Sequence, residues 1–341
     1  MARNLAWALA AKTGLPYLYR KRHEHDCVIL MYHAVVDGPR SYTRWTHVTA
    51  SDFRWQIRWI KQRYRILPLS EVVQAIRNGR ALPSKTAVIT FDDGFRNNYT
   101  TAWPILKAEG VPATIFVTTG YLDSRRMNWS DQLFLDLQAA APGELDLSAH
   151  GLGQHPIGSD ASRSAVCDLV RRHVKTLPSA TKNTILADIS RFADRPGRRA
   201  VAEAPDFEPL TWDECREMAT SGIVDFGAHT ITHEILSRLP REAMRNEIEE
   251  SCRIVRERLG VQDVPFAYPN GGRDDFDDHC KAVVQGANAT CALTTIEGLC
   301  TRSSDVYALP RIGVGSDMTP SRFQVASSGI ASGLKARLGR A

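Results

Sequence analysis

A chain of 341 residues, 43% hydrophobic and 24% charged, can bury a full core as one large α/β domain or as two smaller ones. Its net charge of +5 is mild for that length and makes no case for nucleic acid. No stretch approaches the roughly 20 apolar residues that a membrane-spanning helix needs, which excludes a span of that kind.

Arg3 is followed by an apolar run of about seven residues and then by Lys12. That run is short for a signal peptide. Residues 1–26 are therefore expected to form an amphipathic lead-in, with Tyr17, Tyr19, Arg20, Lys21 and Arg22 able to rest weakly on an anionic membrane surface. The seven cysteines (27, 167, 215, 252, 280, 291 and 300) include no C-x-x-C pair. Odd in number and set in apolar surroundings, they read as reduced thiols of a cytoplasmic protein, peripheral at most to the inner membrane.

Beyond the lead-in, short apolar runs alternate with helical patterns. Residues 27–33 read as a strand, 51–64 as a helix capped by Ser51, and 70–79 as a helix capped by Ser70 and closed by Gly79. A buried strand over 87–94 precedes a helix over 97–110 that Pro104 is placed to kink, and 113–120 is the next strand. Residues 121–209 interrupt the alternation. They are richer in polar and basic residues and turn signals, and they open with Asn128 and Trp129 at a helix start. This segment is expected to be an insertion that lids a site. The alternation resumes with a helix over 211–222 capped by Thr211, a strand over 223–229, a long helix over 240–260, and strands over 264–269, 289–295 and 307–314. The tail over 315–341, rich in Ser and Gly, is expected to be flexible. Strands buried on both faces and separated by helices make a parallel sheet, open or closed into a barrel, with its chemistry at the strand ends.

Three motifs fall at such ends: Thr90-Phe91-Asp92-Asp93-Gly94, Ala228-His229-Thr230-Ile231-Thr232-His233 and Ala267-Tyr268-Pro269-Asn270-Gly271-Gly272. Alone, Asp-Asp-Gly is an ordinary turn, and a His-x-x-x-His pair is weak evidence. Together, two carboxylates and two imidazoles can hold one divalent metal and leave one carboxylate free as a base. The third motif is a turn whose backbone N–H groups can face an oxyanion.

The first two motifs resemble those of the polysaccharide deacetylases of the NodB-homology type, carbohydrate esterase family 4. The resemblance covers about 27–120 and 210–314. It implies an α/β fold, a deformed barrel of about seven strands with 27–314 as the domain, and hydrolysis of acetyl groups from N-acetylhexosamine units of a polymer or oligomer. It also implies a divalent metal, zinc first and cobalt, nickel or manganese as alternatives, on Asp93, His229 and His233. Asp92 would be the base, and Tyr268, Pro269, Asn270 and Gly271 would meet the substrate, with Asn270 supplying an N–H.

Two departures stand out. The family's arginine partner of the base falls at Ala267, which leaves Arg311 or Arg273 to replace it. The family's Leu-x-His motif meets Leu293-Thr294-Thr295, without a histidine, which leaves His33 as the candidate acid. Trp129 is a candidate sugar platform, with Asp131 beside it. The Met-Tyr-His-Ala-Val opening (31–35) and the long insertion resemble members associated with bacterial exopolysaccharide. Two rivals share the fold: an amidase acting on a cyclic imide or ureide, and a non-catalytic sugar-binding assembly protein.

Overall fold

The computed structural model describes residues 2–40, 42, 44–124, 126–201 and 204–337. Seven parallel strands close into a barrel in chain order: β1 (Val28–Tyr32), β2 (Thr86–Phe91), β3 (Ala113–Val117), β4 (Val224–Ala228), β5 (Phe266–Ala267), β6 (Ala292–Glu297) and β7 (Leu309–Gly313). Each strand pairs with the next, and β7 returns to β1 with Leu30 opposite Ile312. The barrel is deformed in two places. β5 is only two residues long, and the β6–β7 register slips between Leu293 and Glu297.

The strands are mostly apolar because both faces are covered; the exceptions include Thr86 and Thr90 on β2, the exposed Asp225 on β4 and Arg311 on β7. Along β1, Val28, Leu30 and Tyr32 join the cluster under the surrounding helices, whereas Ile29 joins Val88, Phe116, Ala267, Leu293 and Leu309 in a second cluster. That second cluster also contains Val72, Val73 and Ile76 of the helix Leu69–Arg77, which closes the amino-terminal end of the barrel. Gly227 on β4 is required by close packing. A Cβ there would lie 2.5 Å from the Phe116 ring and 2.6 Å from the Pro265 carbonyl oxygen.

Several local expectations are corrected. The first barrel helix is Ala50–Lys61, and its cap is Thr49, whose hydroxyl accepts from the Asp52 N–H; Ser51 lies inside it. Leu69–Arg77 follows Pro68 and has no side-chain cap at Ser70. The helix expected over 97–110 is a π-helical turn, Asn98–Ala102, that runs straight into the α-helix Trp103–Glu109 with Pro104 in its first turn. The disturbance expected at Pro104 thus takes the form of a change of helix type. Thr211 caps Trp212–Thr220 in a reciprocal arrangement with Glu214.

The tail is corrected as well. Residues Pro320–Ser327 and Ile330–Arg337 are helices. Phe323 packs edge-on against Trp55 and Trp59, and Tyr64 donates to the Ser327 carbonyl. The insertion contains helices Trp129–Ala139, Asp160–Val174 and Ser179–Ala193 and an antiparallel ribbon, Gly143–Asp146 with Gln154–Ile157. It has a core of its own, including Leu133, Leu137, Val170, Ile185, Ile189 and Phe192. This core reaches the barrel through Ala34 and Phe95, which join it together with Phe207 near the end of the insertion.

Candidate active site

The carboxyl ends of β2 and β4 bring the two acidic and two imidazole side chains together. Asp93 Oδ1 lies 3.5 Å from His229 Nε2 and 3.1 Å from His233 Nε2. One ligand atom from each of these three residues lies within 4.8 Å of the others, a geometry suited to a metal ion. Asp93 Oδ1 is buried without a hydrogen-bond partner, as expected of an oxygen whose partner is a cation. His229 donates Nδ1–H to the Ala267 carbonyl at 2.7 Å, which fixes the tautomer that turns the Nε2 lone pair toward Asp93.

The loop carrying the histidines is not a helical turn, although the His-x-x-x-His spacing suits one. Thr230 and His233 have φ of 64° and 58°, and Asp93 has φ of 72°. Such left-handed residues persist only where the surroundings hold them. Here the His233 N–H donates to the Thr230 hydroxyl. Glu247, on the helix Arg241–Leu259, accepts from the Ile231 N–H, the Thr232 N–H and the Thr232 hydroxyl. Tyr121 donates to the Thr232 carbonyl at 2.7 Å. Glu247 and Tyr121 escaped the sequence reading. Their signal was faint: an acid facing inward on a helix, and a tyrosine just past a strand end.

Asp92 takes no part in the metal cluster. Arg311 on β7 reaches it with two parallel hydrogen bonds, Nη1 to Oδ1 at 2.7 Å and Nη2 to Oδ2 at 2.6 Å, and both side chains are buried. The remaining arm, Arg311 Nε, donates to the Thr294 carbonyl at 2.8 Å. Arg273, the other candidate, is exposed on its loop. Burial favours the neutral acid at Asp92, but Arg311 and His229 outweigh it and hold the carboxyl below its usual range. Burial likewise opposes ionisation of Asp93, yet His233 and His229 hold it far below that range.

The third motif divides its roles. Tyr268 is a correction: its ring is fully buried, stacked 4.2 Å from Phe276, and its hydroxyl donates to the Tyr307 carbonyl. An aromatic side chain at the end of a core strand gains more from burial than the loop can offer, so Tyr268 supports the turn and offers no side-chain contact to a ligand. Pro269 is also buried. Asn270 has φ of 58°, and its N–H finds no acceptor among the described residues. Gly271 is required where it stands, because it has φ of 64° and a Cβ would lie 2.9 Å from the Thr295 nitrogen. Thr295, where the Leu-x-His pattern would put its histidine, donates to the Asn270 carbonyl at 2.5 Å.

His33 follows β1 directly. Its ring meets Trp45 edge-on at 5.7 Å, and its Nδ1 is buried without a partner. Burial pushes the imidazole down, against the pull of Asp93 and Asp92. Trp129 lies at the start of the first insertion helix, with the Lys182 ammonium 5.4 Å from its ring. It lines a cleft of about 580 Å³ together with Tyr121, Gln132, Asp136, Thr232 and Glu234. Asp131 is not free for a ligand, because it is paired with Arg44 in a buried ion pair.

With this geometry in place, comparison with known proteins is decisive. The sequence model for polysaccharide deacetylases matches residues 79–290, more than half of the chain. The chain belongs to the polysaccharide deacetylase family. Among its relatives, the poly-beta-1,6-N-acetyl-D-glucosamine N-deacetylase of Escherichia coli (strain K12) is 31% identical over 110 residues, which cover 31% of this chain and 16% of that protein. YxkH of Bacillus subtilis (strain 168) is 22% identical over 296 residues, 86% of this chain and 74% of that one. The chain thus spans a small part of the first of these relatives and most of the second.

Solved family structures share the fold. The Streptococcus pyogenes deacetylase PplD, solved in complex with acetate, superposes with a TM-score of 0.57 at 20% identity, covering 87% of this chain and 96% of that one. IcaB from Ammonifex degensii also gives 0.57, at 18% identity, covering 89% and 97%.

Proposed function

We propose that this family member is a metal-dependent N-deacetylase acting on N-acetylhexosamine units of a polysaccharide or oligosaccharide, in the making or modification of a bacterial exopolysaccharide. One observation carries the reading. Asp93, His229 and His233 converge on one point, while the adjacent Asp92 is held off it by Arg311. A pure binding site has no use for a second carboxylate locked beside a metal position.

A divalent ion on Asp93, His229 and His233, zinc before cobalt, nickel or manganese, would polarise the acetyl carbonyl and lower the pKa of water. The protein does the rest. Asp92, oriented by Arg311, takes the proton of the attacking water. The Asn270 N–H faces the charge that develops on the acetyl oxygen. His33, at the end of β1, is the group we assign to hand a proton to the departing amine, since Thr295 cannot. With its pKa held down it starts neutral and passes on the proton that Asp92 takes from the water. Trp129 supplies an aromatic wall on the insertion side of the cleft.

The test is acetate release from an N-acetylglucosamine oligomer by metal-loaded and chelator-treated protein. Loaded protein should release acetate, and chelated protein should not until zinc is returned. Full activity after complete metal removal, or no release from any N-acetylated sugar, would overturn the proposal. Hydrolysis of a cyclic imide or ureide with no acetate release would favour the amidase reading. The absence of both reactions would favour the sugar-binding one.

A further inference from the structure

The exposed apolar side chains are concentrated in one part of the fold. Among the described residues six large ones are exposed, and Leu9, Leu15, Tyr17, Leu18 and Leu334 are five of them. All five lie on the helices Ala2–Lys12, Leu15–Arg22 and Ile330–Arg337, away from the barrel strands.

The helix Leu15–Arg22 is inside out. Its buried residues are Pro16 and Arg20, one turn apart. Arg20 turns inward, donates to the Asp26 carbonyl and lies 5.3 Å from the centre of the Tyr64 ring. At 100° per residue, the opposite face carries Leu15, Tyr17 and Leu18 together with Lys21 and Arg22, all exposed. A helix lying against its own protein would normally show the reverse arrangement.

Charge points the same way. The chain has 43 Lys and Arg against 38 Asp and Glu, a net charge of +5. Arg3, Lys12, Arg20, Lys21 and Arg22 precede the first acidic residue, Glu24, and account for all of that excess. The rest of the chain is balanced. Arg20 is turned inward, but the exposed Leu15, Tyr17 and Leu18 interleaved with Lys21 and Arg22, and no acid among them, match an anionic bilayer surface: the apolar side chains enter the acyl boundary and the exposed cations meet the headgroups.

We infer that the amino-terminal helix pair is a docking surface for an anionic lipid bilayer. The helix Leu15–Arg22 leads to the amino-terminal end of β1, at the opposite end of the barrel from Asp92, Asp93 and His229. The docked protein therefore presents its site away from the lipid, toward a sugar chain in the aqueous phase. Only this last consequence rests on the proposed deacetylase reading; the docking does not.

The experiment is co-flotation of the full chain with vesicles of phosphatidylcholine alone and vesicles that also contain phosphatidylglycerol. The chain should float with the anionic vesicles only. Leu15→Ser with Leu18→Ser, and separately Lys21→Ser with Arg22→Ser, should each weaken binding on the order of tenfold. Added salt should weaken binding of the unaltered chain. Unchanged circular dichroism and thermal unfolding establish that the variants fold. Acetate release from a soluble oligomer, equal in both, keeps failure of the docking distinct from failure of the enzymatic reading. Three results would overturn the inference: no flotation with either vesicle, undiminished flotation of both double variants, or a dimer in sedimentation that the leucine substitutions dissociate.

Discussion

Arg311 grips Asp92 across the barrel from β7 to β2, two nitrogens to two oxygens, while its third arm is held by the Thr294 carbonyl. That carbonyl is available because the β6–β7 register slips between Leu293 and Glu297, which removes Thr294 from regular pairing. The register slip therefore aims the arginine, and the arginine fixes the carboxylate that we propose as the base.

Arg311→Lys keeps the charge but not the fork. It should lower kcat on the order of 100-fold while leaving metal content unchanged. Arg311→Ala leaves a buried carboxylate unpaired and should destabilise the fold by about 3–5 kcal/mol, measured by chemical denaturation. A lysine variant of full activity would remove Arg311 from the mechanism.

Loss of the cation should be visible without any substrate. Chelation should lower Tm, because the folded ligand set binds the ion and the unfolded chain holds it poorly. His229→Ala and His233→Ala should each lose stoichiometric zinc by elemental analysis, and Asp92→Asn should retain it. Zinc retained by both histidine variants would place the ion elsewhere.

Glu247 is 16 residues from Ile231 and touches no ligand position, yet it accepts three hydrogen bonds from the loop between the histidines. Glu247→Ala should weaken zinc binding by roughly 10–100-fold, the usual effect of removing an outer support. Competition with a chelator gives the number, and an unchanged affinity would reduce Glu247 to a packing residue.

His33→Ala should depress turnover and spare both metal content and oligomer affinity. Slow substrates with good leaving groups, such as activated acetyl esters, should be affected less than the amide, since they need no proton donor. Equal losses on both would point to a structural role.

His47 lies among the rings of Tyr42, Phe95 and Phe207, and burial, reinforced by Arg44, pushes its pKa from 6.5 down to about 3. A depressed folded pKa means that its contribution to stability is complete above pH 6.5. Below that, the unfolded chain binds a proton that the folded chain refuses, and stability falls by about 1.4 kcal/mol per pH unit toward pH 3. Denaturation midpoints measured from pH 7 to pH 4 should show this slope reduced by one proton in His47→Gln. Parallel slopes would contradict the burial argument.

How much of this was legible in the chain varies with the range of the interaction. The alternation of apolar runs and helical patterns marked most of the barrel strands, because burial on both faces leaves a continuous apolar signature. The pairing of Asp92-Asp93 with His229 and His233 was legible because three side chains able to share one ion, with a second carboxylate beside them, are rare at strand ends. Tyr268 was misread, since the sequence shows a tyrosine beside a turn but not the Phe276 ring on which it stacks. The tail was misread because its Ser and Gly residues signal flexibility, while the place that receives Phe323 is built by Trp55 and Trp59, more than 260 residues earlier.

The sequence by itself determined the set of side chains that meet at the candidate site, most of the strand-and-helix alternation and the absence of a histidine at Thr295. Only the tertiary structure decided that Arg311 partners Asp92, that Glu247 secures the histidine loop, and that Leu15 and Leu18 face outward. Local patterns record which residues must be buried or capped. The partner of a charge and the direction of a helix face depend on what the rest of the chain brings alongside.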